Sequence, residues 1–326
     1  MNTLPHIHLC IMQPTGYVHS LGFLDQARYF RHQFRRMGAQ VSLAKNRLRH
    51  DAVNFVFGAH LGFDAALTQR YSCIFVNLEQ LGEGGAKVKP EYLQLLSKSA
   101  VVDYDADNIP AYTTYIEDVP IVPFLYAPYL KPAQAIPLAD RPIDVLFIGS
   151  MNERRRDMIK RIESTGRKVM LFDSPLYGPE RDQFIMQAKC VFNAHFYATS
   201  RFEQARVSHC LSLGTPVVSE RSPLARPHAA FEDSVFWVPE DSIEDFFAQQ
   251  FDTPAFYDQA EVALSRFQAV DPIEAYADVL AFAAGYGKEH QSRRPSTPWQ
   301  PTRINLGSGK DYKLGWLNID ILDRAQ

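Results

Sequence analysis

The residues best suited to chemistry fall within residues 145–220. An apolar run at 145–148 ends in Gly149-Ser150, and Met151, Asn152 and Glu153 lead into Arg154-Arg155-Arg156. Met158, Ile159 and Ile162 then recur at helical spacing, which predicts a strand, a small-residue turn and a helix with three arginines in its first turn. Cations there oppose the positive end of the helix macrodipole, so the arrangement invites an anion. Three solvated arginines are the plainer alternative. The turn stands at the carboxyl end of a strand, where open α/β sheets bind ligands. Farther along, residues 191–194 predict a strand, 202–213 a helix stopped by Gly214, and 217–220 a strand ending in a hydroxyl and a carboxylate. His195, Glu203, Arg206, Ser219 and Glu220 then lie at strand ends or helix starts, around one crevice.

Two spots in the first half could also carry chemistry. Glu79 ends a predicted buried strand at 73–77, where desolvation can tune a carboxylate for general-base work; a structural carboxylate or loop cap is the alternative. Asp103-Tyr104-Asp105 has the D-x-D spacing of hard oxygen ligands for a divalent metal, but Asx-rich runs more often build turns and caps. No metal is expected.

These residues need an α/β frame. Residues 6–12, 41–44, 53–57, 73–77 and 101–102 read as strands. Ala27, Phe30, Phe34 and Met37 mark a helix ended by Gly38, and 90–97 reads as another. Such alternation implies a mostly parallel sheet. Gly16 and Gly22 follow the first strand without a G-x-G-x-x-G, so a nicotinamide fingerprint is absent. Six prolines between 119 and 142 mark an interdomain connector. Past Glu220, residues 235–238 predict a strand, 243–251 a helix, and 272–284 a last helix with Ala275, Val279 and Phe282 on one side. The Ser-, Pro- and Gln-rich run that follows reads as a linker. The expected domains are residues 1–130, 131–285, a linker at 286–302, and a separate piece at 303–326.

With 326 residues, 46% hydrophobic and 22% charged, the chain can bury two cores. A net charge of −3 gives no global pull toward nucleic acid, so any anion site must be local. Cys10, Cys73, Cys190 and Cys210 sit in apolar runs without metal-ligand spacing and predict buried thiols in a reducing compartment. No apolar run approaches the roughly 20 residues that cross a bilayer, and the N-terminus lacks a signal-peptide core. A cytoplasmic protein is expected, with peripheral membrane association left open.

From Ile143 to about Val238 the chain resembles the nucleotide-sugar-binding domain of GT-B glycosyltransferases, bacterial and viral ones in particular. The resemblance rests on Gly149-Ser150-Met151-Asn152-Glu153-Arg154-Arg155, the Tyr177-Gly178-Pro179-Glu180-Arg181-Asp182 run, Asn193-Ala194-His195-Phe196-Tyr197, and Phe202-Glu203-Gln204-Ala205-Arg206. It implies two Rossmann-like domains facing a cleft, the second holding a nucleoside diphosphate sugar and the first offering a glycan or lipid-linked acceptor. It implies no cofactor, and a setting in bacterial surface polysaccharide or glycoconjugate synthesis. Arg154 and Arg206 are expected on the diphosphate, and Gly149, Ser150 and Asn152 in backbone and polar contacts. Glu220 is expected on ribose or sugar hydroxyls, and His195 on sugar or phosphate, with Phe202, Glu203 and Ser219 beside them. If the reaction inverts, Glu79 or Asp25 is the base. Where retaining families place two glutamates eight positions apart, this chain has Arg201 and His209, leaving Glu203 and Glu220 as candidate substitutes. That departure keeps open a non-catalytic GT-B-like binding module.

The tail resembles the opening of a class I S-adenosylmethionine methyltransferase, with Gly307, Gly309 and Asp320 in the cofactor-binding positions. Roughly 25 residues cannot form an independent core. The tail is therefore expected to be the start of a longer bifunctional protein or a remnant, with S-adenosylmethionine relevant only if a complete domain follows.

Overall fold

The computed structural model describes residues 4–172, 174–293, 303–306 and 317–319. The first lobe runs β1 (Ile7–Ile11), α1 (Phe23–Arg36), β2 (Val41–Lys45), β3 (Val53–Phe57), β4 (Ser72–Asn77), α2 (Pro90–Ser97) and β5 (Ala100–Asp103). The second begins with β6 (Ile143–Phe147), α3 (Glu153–Ser164), β7 (Val169–Met170), α4 (Pro179–Gln187), β8 (Ala188–Asn193), α5 (Gln204–Ser212) and β9 (Val217–Arg221). It ends with α6 (Ala229–Glu232), β10 (Phe236–Pro239), α7 (Ile243–Asp245) with a following π-helical turn, and α8 (Pro254–Gln268). The last long helix is α9 (Ile273–Arg293).

Both sheets are parallel and share one topology. The first has the order β2-β1-β3-β4-β5 and the second β10-β9-β8-β6-β7, so each reads 2-1-3-4-5 within its own lobe. Strands β1, β3 and β4 are buried along their whole length, as expected of central strands covered on both faces. In this topology the order reverses between β1 and β3, and again between β6 and β8. Ligand crevices open at the carboxyl ends of those strands. The turn at Gly149 and the strand end at Asn193 therefore flank the second lobe's switch point.

Helix α9 departs from the expected boundaries. Its buried face is Tyr276, Val279, Leu280 and Ala283, which keeps the expected Val279 and has Phe282 packed at its edge, and it completes the first lobe's core with Phe30, Phe34 and Phe55. The chain thus crosses back onto the first lobe, and residues 286–293, read as the start of the linker, continue the helix. Gly285 and Gly287 look like helix breakers, yet a Cβ on Gly287 would lie 2.8 Å from Val53 Cγ2, so this glycine lets α9 close on β3. The rest of the proposed linker lies outside the described residues. In the tail, β11 (Ile304–Leu306) and β12 (Leu317–Ile319) pair in parallel as a separate sheet. Gly307, Gly309 and Asp320 lie outside the described residues.

All four cysteines are buried free thiols, and burial pushes Cys10 and Cys210 up to about 12. Among the described residues no helix is long and apolar enough to cross a membrane.

The two α9 glycines predict opposite effects. Nothing lies within 4 Å of a Cβ at exposed Gly285, so Gly285→Ala gains helix propensity and stabilises by about 0.5–1 kcal/mol. Gly287→Ala meets a β-branched side chain on a buried strand, and overpacking of about 1–3 kcal/mol outweighs the same gain. Denaturant midpoints of the two variants should move in opposite directions; equal shifts would contradict the packing of α9 on β3.

Candidate functional site

The turn after β6 is shaped by a guanidinium group rather than by a ligand. Asn152 caps α3, its Oδ1 accepting from Arg155 N at 2.9 Å while its Nδ2 donates to Phe196 O at 3.1 Å. Arg155 is 2% exposed, and donates to Ser150 O at 2.8 Å and twice to Ala194 O. Its guanidinium lies over the Phe147 and Phe196 rings and 3.5 Å from Glu203 Oε1. Burial, and then the Arg206 charge, lower its pKa to about 10. Gly149 takes φ +146°, and a Cβ there would lie 3.0 Å from Arg155 Nη1 and 3.5 Å from Arg206 Nη1. The positive φ favours glycine, and a Cβ would crowd Arg155 while meeting Arg206 only at ordinary contact distance.

Behind the turn is a buried polar network. Asn193 Nδ2 donates to Glu203 Oε2 and Ser219 Oγ, both at 3.1 Å, and its Oδ1 accepts from Arg206 Nη1 at 3.1 Å. His195, 1% exposed, meets Glu203 Oε2 through Nδ1 at 3.1 Å; its Nε2 is buried without a hydrogen-bond partner. Burial alone would raise the Glu203 pKa, but the His195 hydrogen bond and the charges of His195, Arg206 and Arg155 hold it below the ordinary carboxylate value.

A cavity of 670 Å³ separates the lobes here. Gly149, Ser150 and Arg206 line it from the second lobe, and His19, Asp25 and Gln26 from the first. A 310 Å³ chamber adjoins it, sharing Arg206 and Gln26 and adding Glu79 and Glu203. Glu79 stands past the end of β4 with His60 Nε2 3.5 Å away.

Gly149, Ser150, Arg206, Glu203 and Glu79 are therefore gathered around one cleft, with Asn152 and His195 just behind it. Several expected residues are not free to act there. Arg154 pairs bidentately with Glu220, Nη1 to Oε2 at 2.9 Å, and reaches Glu240 at 2.7 Å. Glu220 is 3% exposed and also accepts from His195 N, and Arg154 lines a separate pocket beside Glu240 rather than the interdomain cleft. Ser219 is buried against Asn193, and Phe202 packs in the core on Phe231 and Trp237. Asp25 lines the cleft, but Arg181 Nη1 donates to its Oδ2 at 2.8 Å across the lobes, which opposes a role as base. Asp103 is buried and accepts from Asn77, Asn108, Tyr112 and the Asp105 amide. Its D-x-D run is a structural turn, and burial raises the Asp103 carboxyl to about 6. Among the described residues no three His, Cys, Asp or Glu side chains converge as a metal set.

The two positions that depart from the retaining pattern have structural partners. Arg201 holds Asn108 Oδ1 and the carbonyls of Leu81 and Asp107, tying the second lobe to the first. His209 Nε2 meets Asp182 Oδ1 at 2.8 Å beside Arg181. Sequence reasoning missed Arg155 as the organising cation and the His19–Tyr177 hydrogen bond, 2.9 Å, that spans the cleft. The usable signal for Arg155 was its helical register with Met158, Ile159 and Ile162, which points it inward.

No family model matches the chain. It is 29% identical over 168 residues to the uncharacterized protein L140 of Acanthamoeba polyphaga mimivirus, 48% of this chain and 51% of that protein. It is 36% identical over 80 residues to the uncharacterized protein L138 of the same virus, 24% of this chain and 9% of that one. The matched part thus spans about half of the first relative and under a tenth of the second. Among solved structures, a glycosyltransferase from Rickettsia africae superposes with TM-score 0.50 at 7% identity, over 88% of this chain and 99% of that one. Anabaena HepE in complex with UDP-glucose superposes with TM-score 0.48 at 13% identity, over 85% and 99%. The fold is GT-B: two α/β lobes, each with a five-stranded parallel sheet.

The Arg154 geometry predicts a structural phenotype. Arg154→Met strands the buried Glu220 carboxylate and lowers stability by about 3 kcal/mol in denaturant unfolding. Adding Glu220→Gln removes the unpaired charge and recovers part of that loss; a single variant as stable as the parent would contradict the pairing.

Proposed function

We propose that this chain transfers a sugar from a nucleoside diphosphate sugar, held in the interdomain cleft, to a glycan or lipid-linked acceptor. The observation that carries the reading is the Gly149–Ser150 turn. It opens on the cleft at the switch point of the second sheet, with the Arg206 guanidinium pressed against the glycine. In the reaction the bond from the anomeric carbon to the diphosphate breaks, and the electron pair leaves with the diphosphate. An acceptor oxygen forms the new bond and gives up its proton. Negative charge grows on the leaving group, and a preorganised cation and helix N-terminus stabilise it best in a site that excludes water. Arg206 supplies the cation and α3 starts directly after the turn. Ser150 adds a hydroxyl at the cavity wall, and Asn152 fixes the turn from behind.

If transfer inverts the anomeric centre, Glu79 is the candidate base. It lines the chamber that shares Arg206, and its recorded ion-pair partner is a histidine at 3.5 Å, whereas Asp25 is held by an arginine. Glu203, oriented by His195, positions Asn193, which in turn holds Arg206. The protein needs no resident cofactor in this scheme and works in the cytoplasm, in surface polysaccharide or glycoconjugate synthesis. A second reading, a GT-B-like binding module attached to a methyltransferase, is favoured by Arg201 and His209, which are spent on structural contacts where retaining families carry glutamates.

Calorimetric titration with UDP, GDP, CMP and dTDP separates these readings. Transfer predicts that one nucleotide binds, that Arg206→Ala weakens it at least about tenfold, and that its sugar conjugate is slowly hydrolysed. A module without activity predicts no hydrolysis, and absence of binding by all four nucleotides contradicts the donor site. Glu79→Gln should leave nucleotide affinity intact and lower turnover about 100-fold or more, the range of general-base loss. Undiminished turnover would remove Glu79 from the mechanism.

A further inference from the structure

Helix α1 carries Arg28, Arg31, His32, Arg35 and Arg36, which recur at spacings of three and four along one face. They line a groove of 630 Å³, closed on the other side by Tyr129 and Leu130 of the connector. The volume suits a ligand of small-molecule size. The chain as a whole is acidic, so this concentration of positive charge is local.

Two carboxylates line the groove, Asp25 and Asp182, and both are committed to Arg181, while Asp271 takes Arg36. Arg35 donates to the Val41 carbonyl, while Arg28 and Arg31 have no carboxylate within ion-pair distance among the described residues. Burial, and then the Arg35 and Arg28 charges, lower the Arg31 pKa, so the cations are crowded against one another. His32 packs against Tyr129 with ring centroids 4.8 Å apart and planes tilted by 50°, its Nε2 buried and without a hydrogen-bond partner. Among the described residues no carboxylate pairs with Arg28 or Arg31 to relieve this repulsion.

The groove is also continuous with the donor cleft, because Asp25 and His209 line both. We propose that this arginine groove receives a phosphoryl group of the acceptor, so that the transferase acts on a phosphate- or diphosphate-bearing acceptor. The inference rests on the sugar-transfer reading for the word acceptor, and on the groove alone for the anion. Guanidinium forks match phosphate oxygens bidentately. A concave site fits a discrete phosphoryl group, whereas a lipid surface would need the arginines on a flat or protruding face.

The test is calorimetric titration of the full chain with inorganic pyrophosphate, beside a nucleoside diphosphate titration of the same samples. Arg28→Ala/Arg31→Ala, at exposed and half-buried surface positions, should lose pyrophosphate affinity at least about tenfold and keep nucleotide affinity. Arg206→Ala should show the reverse. Pyrophosphate binding that is absent from the parent chain, or unchanged in Arg28→Ala/Arg31→Ala, overturns the proposal. So does co-sedimentation with phosphatidylcholine vesicles containing phosphatidylglycerol, lost in Arg28→Ala/Arg31→Ala, when pyrophosphate does not bind. Failure of the sugar-transfer reading is read separately, as absent nucleotide binding while the pyrophosphate response persists.

Discussion

A fully buried guanidinium is the constraint around which the second lobe is built. Removing Arg155 from water is costly unless its donors are satisfied. The fold satisfies them with the Ser150 and Ala194 carbonyls, two aromatic faces and the nearby Glu203 carboxylate. Those partners lie at the ends of β6 and β8, the two strands that flank the switch point. One side chain therefore sets the shape of the turn and the spacing of the crevice together. It also crowds any Cβ at position 149, where the backbone turns through a positive φ beside Arg206 at the cavity wall.

The lobes are then held together by polar contacts that would be expensive to leave unmade. Gln204 bridges Phe124 N and Tyr104 O, Arg201 reaches Asn108 and two carbonyls, and Arg181 pairs with Asp25. Helix α9 adds an apolar clasp onto the first lobe. The cleft is thus bounded by preorganised groups, which is the condition under which fixed charge stabilises a developing anion.

The strands, the small-residue turn and the inward face of α3 were legible because their signals are local: apolar runs, Gly-Ser, and a helical period. Pairings across long separations were not. Arg154 and Glu220 lie 66 residues apart, and Asp25 and Arg181 lie 156 apart, so nothing local shows that each charge is already spent. Phe202 entered the expected donor set only through the family resemblance, and packing places its ring in the core with Phe231. Gly287 fell in the run read as linker, and sequence cannot distinguish a glycine that ends a helix from one that lets it touch a strand. Arg155 was hidden among three arginines, although register alone points it inward.

The most direct test of the central claim is a crystal structure with the nucleoside diphosphate that binds best. The account predicts phosphate oxygens within hydrogen-bond reach of the Arg206 guanidinium and the Gly149–Ser150 turn, with Arg154 still paired to Glu220. A diphosphate bound at Arg154, or anywhere outside the interdomain cleft, would contradict it.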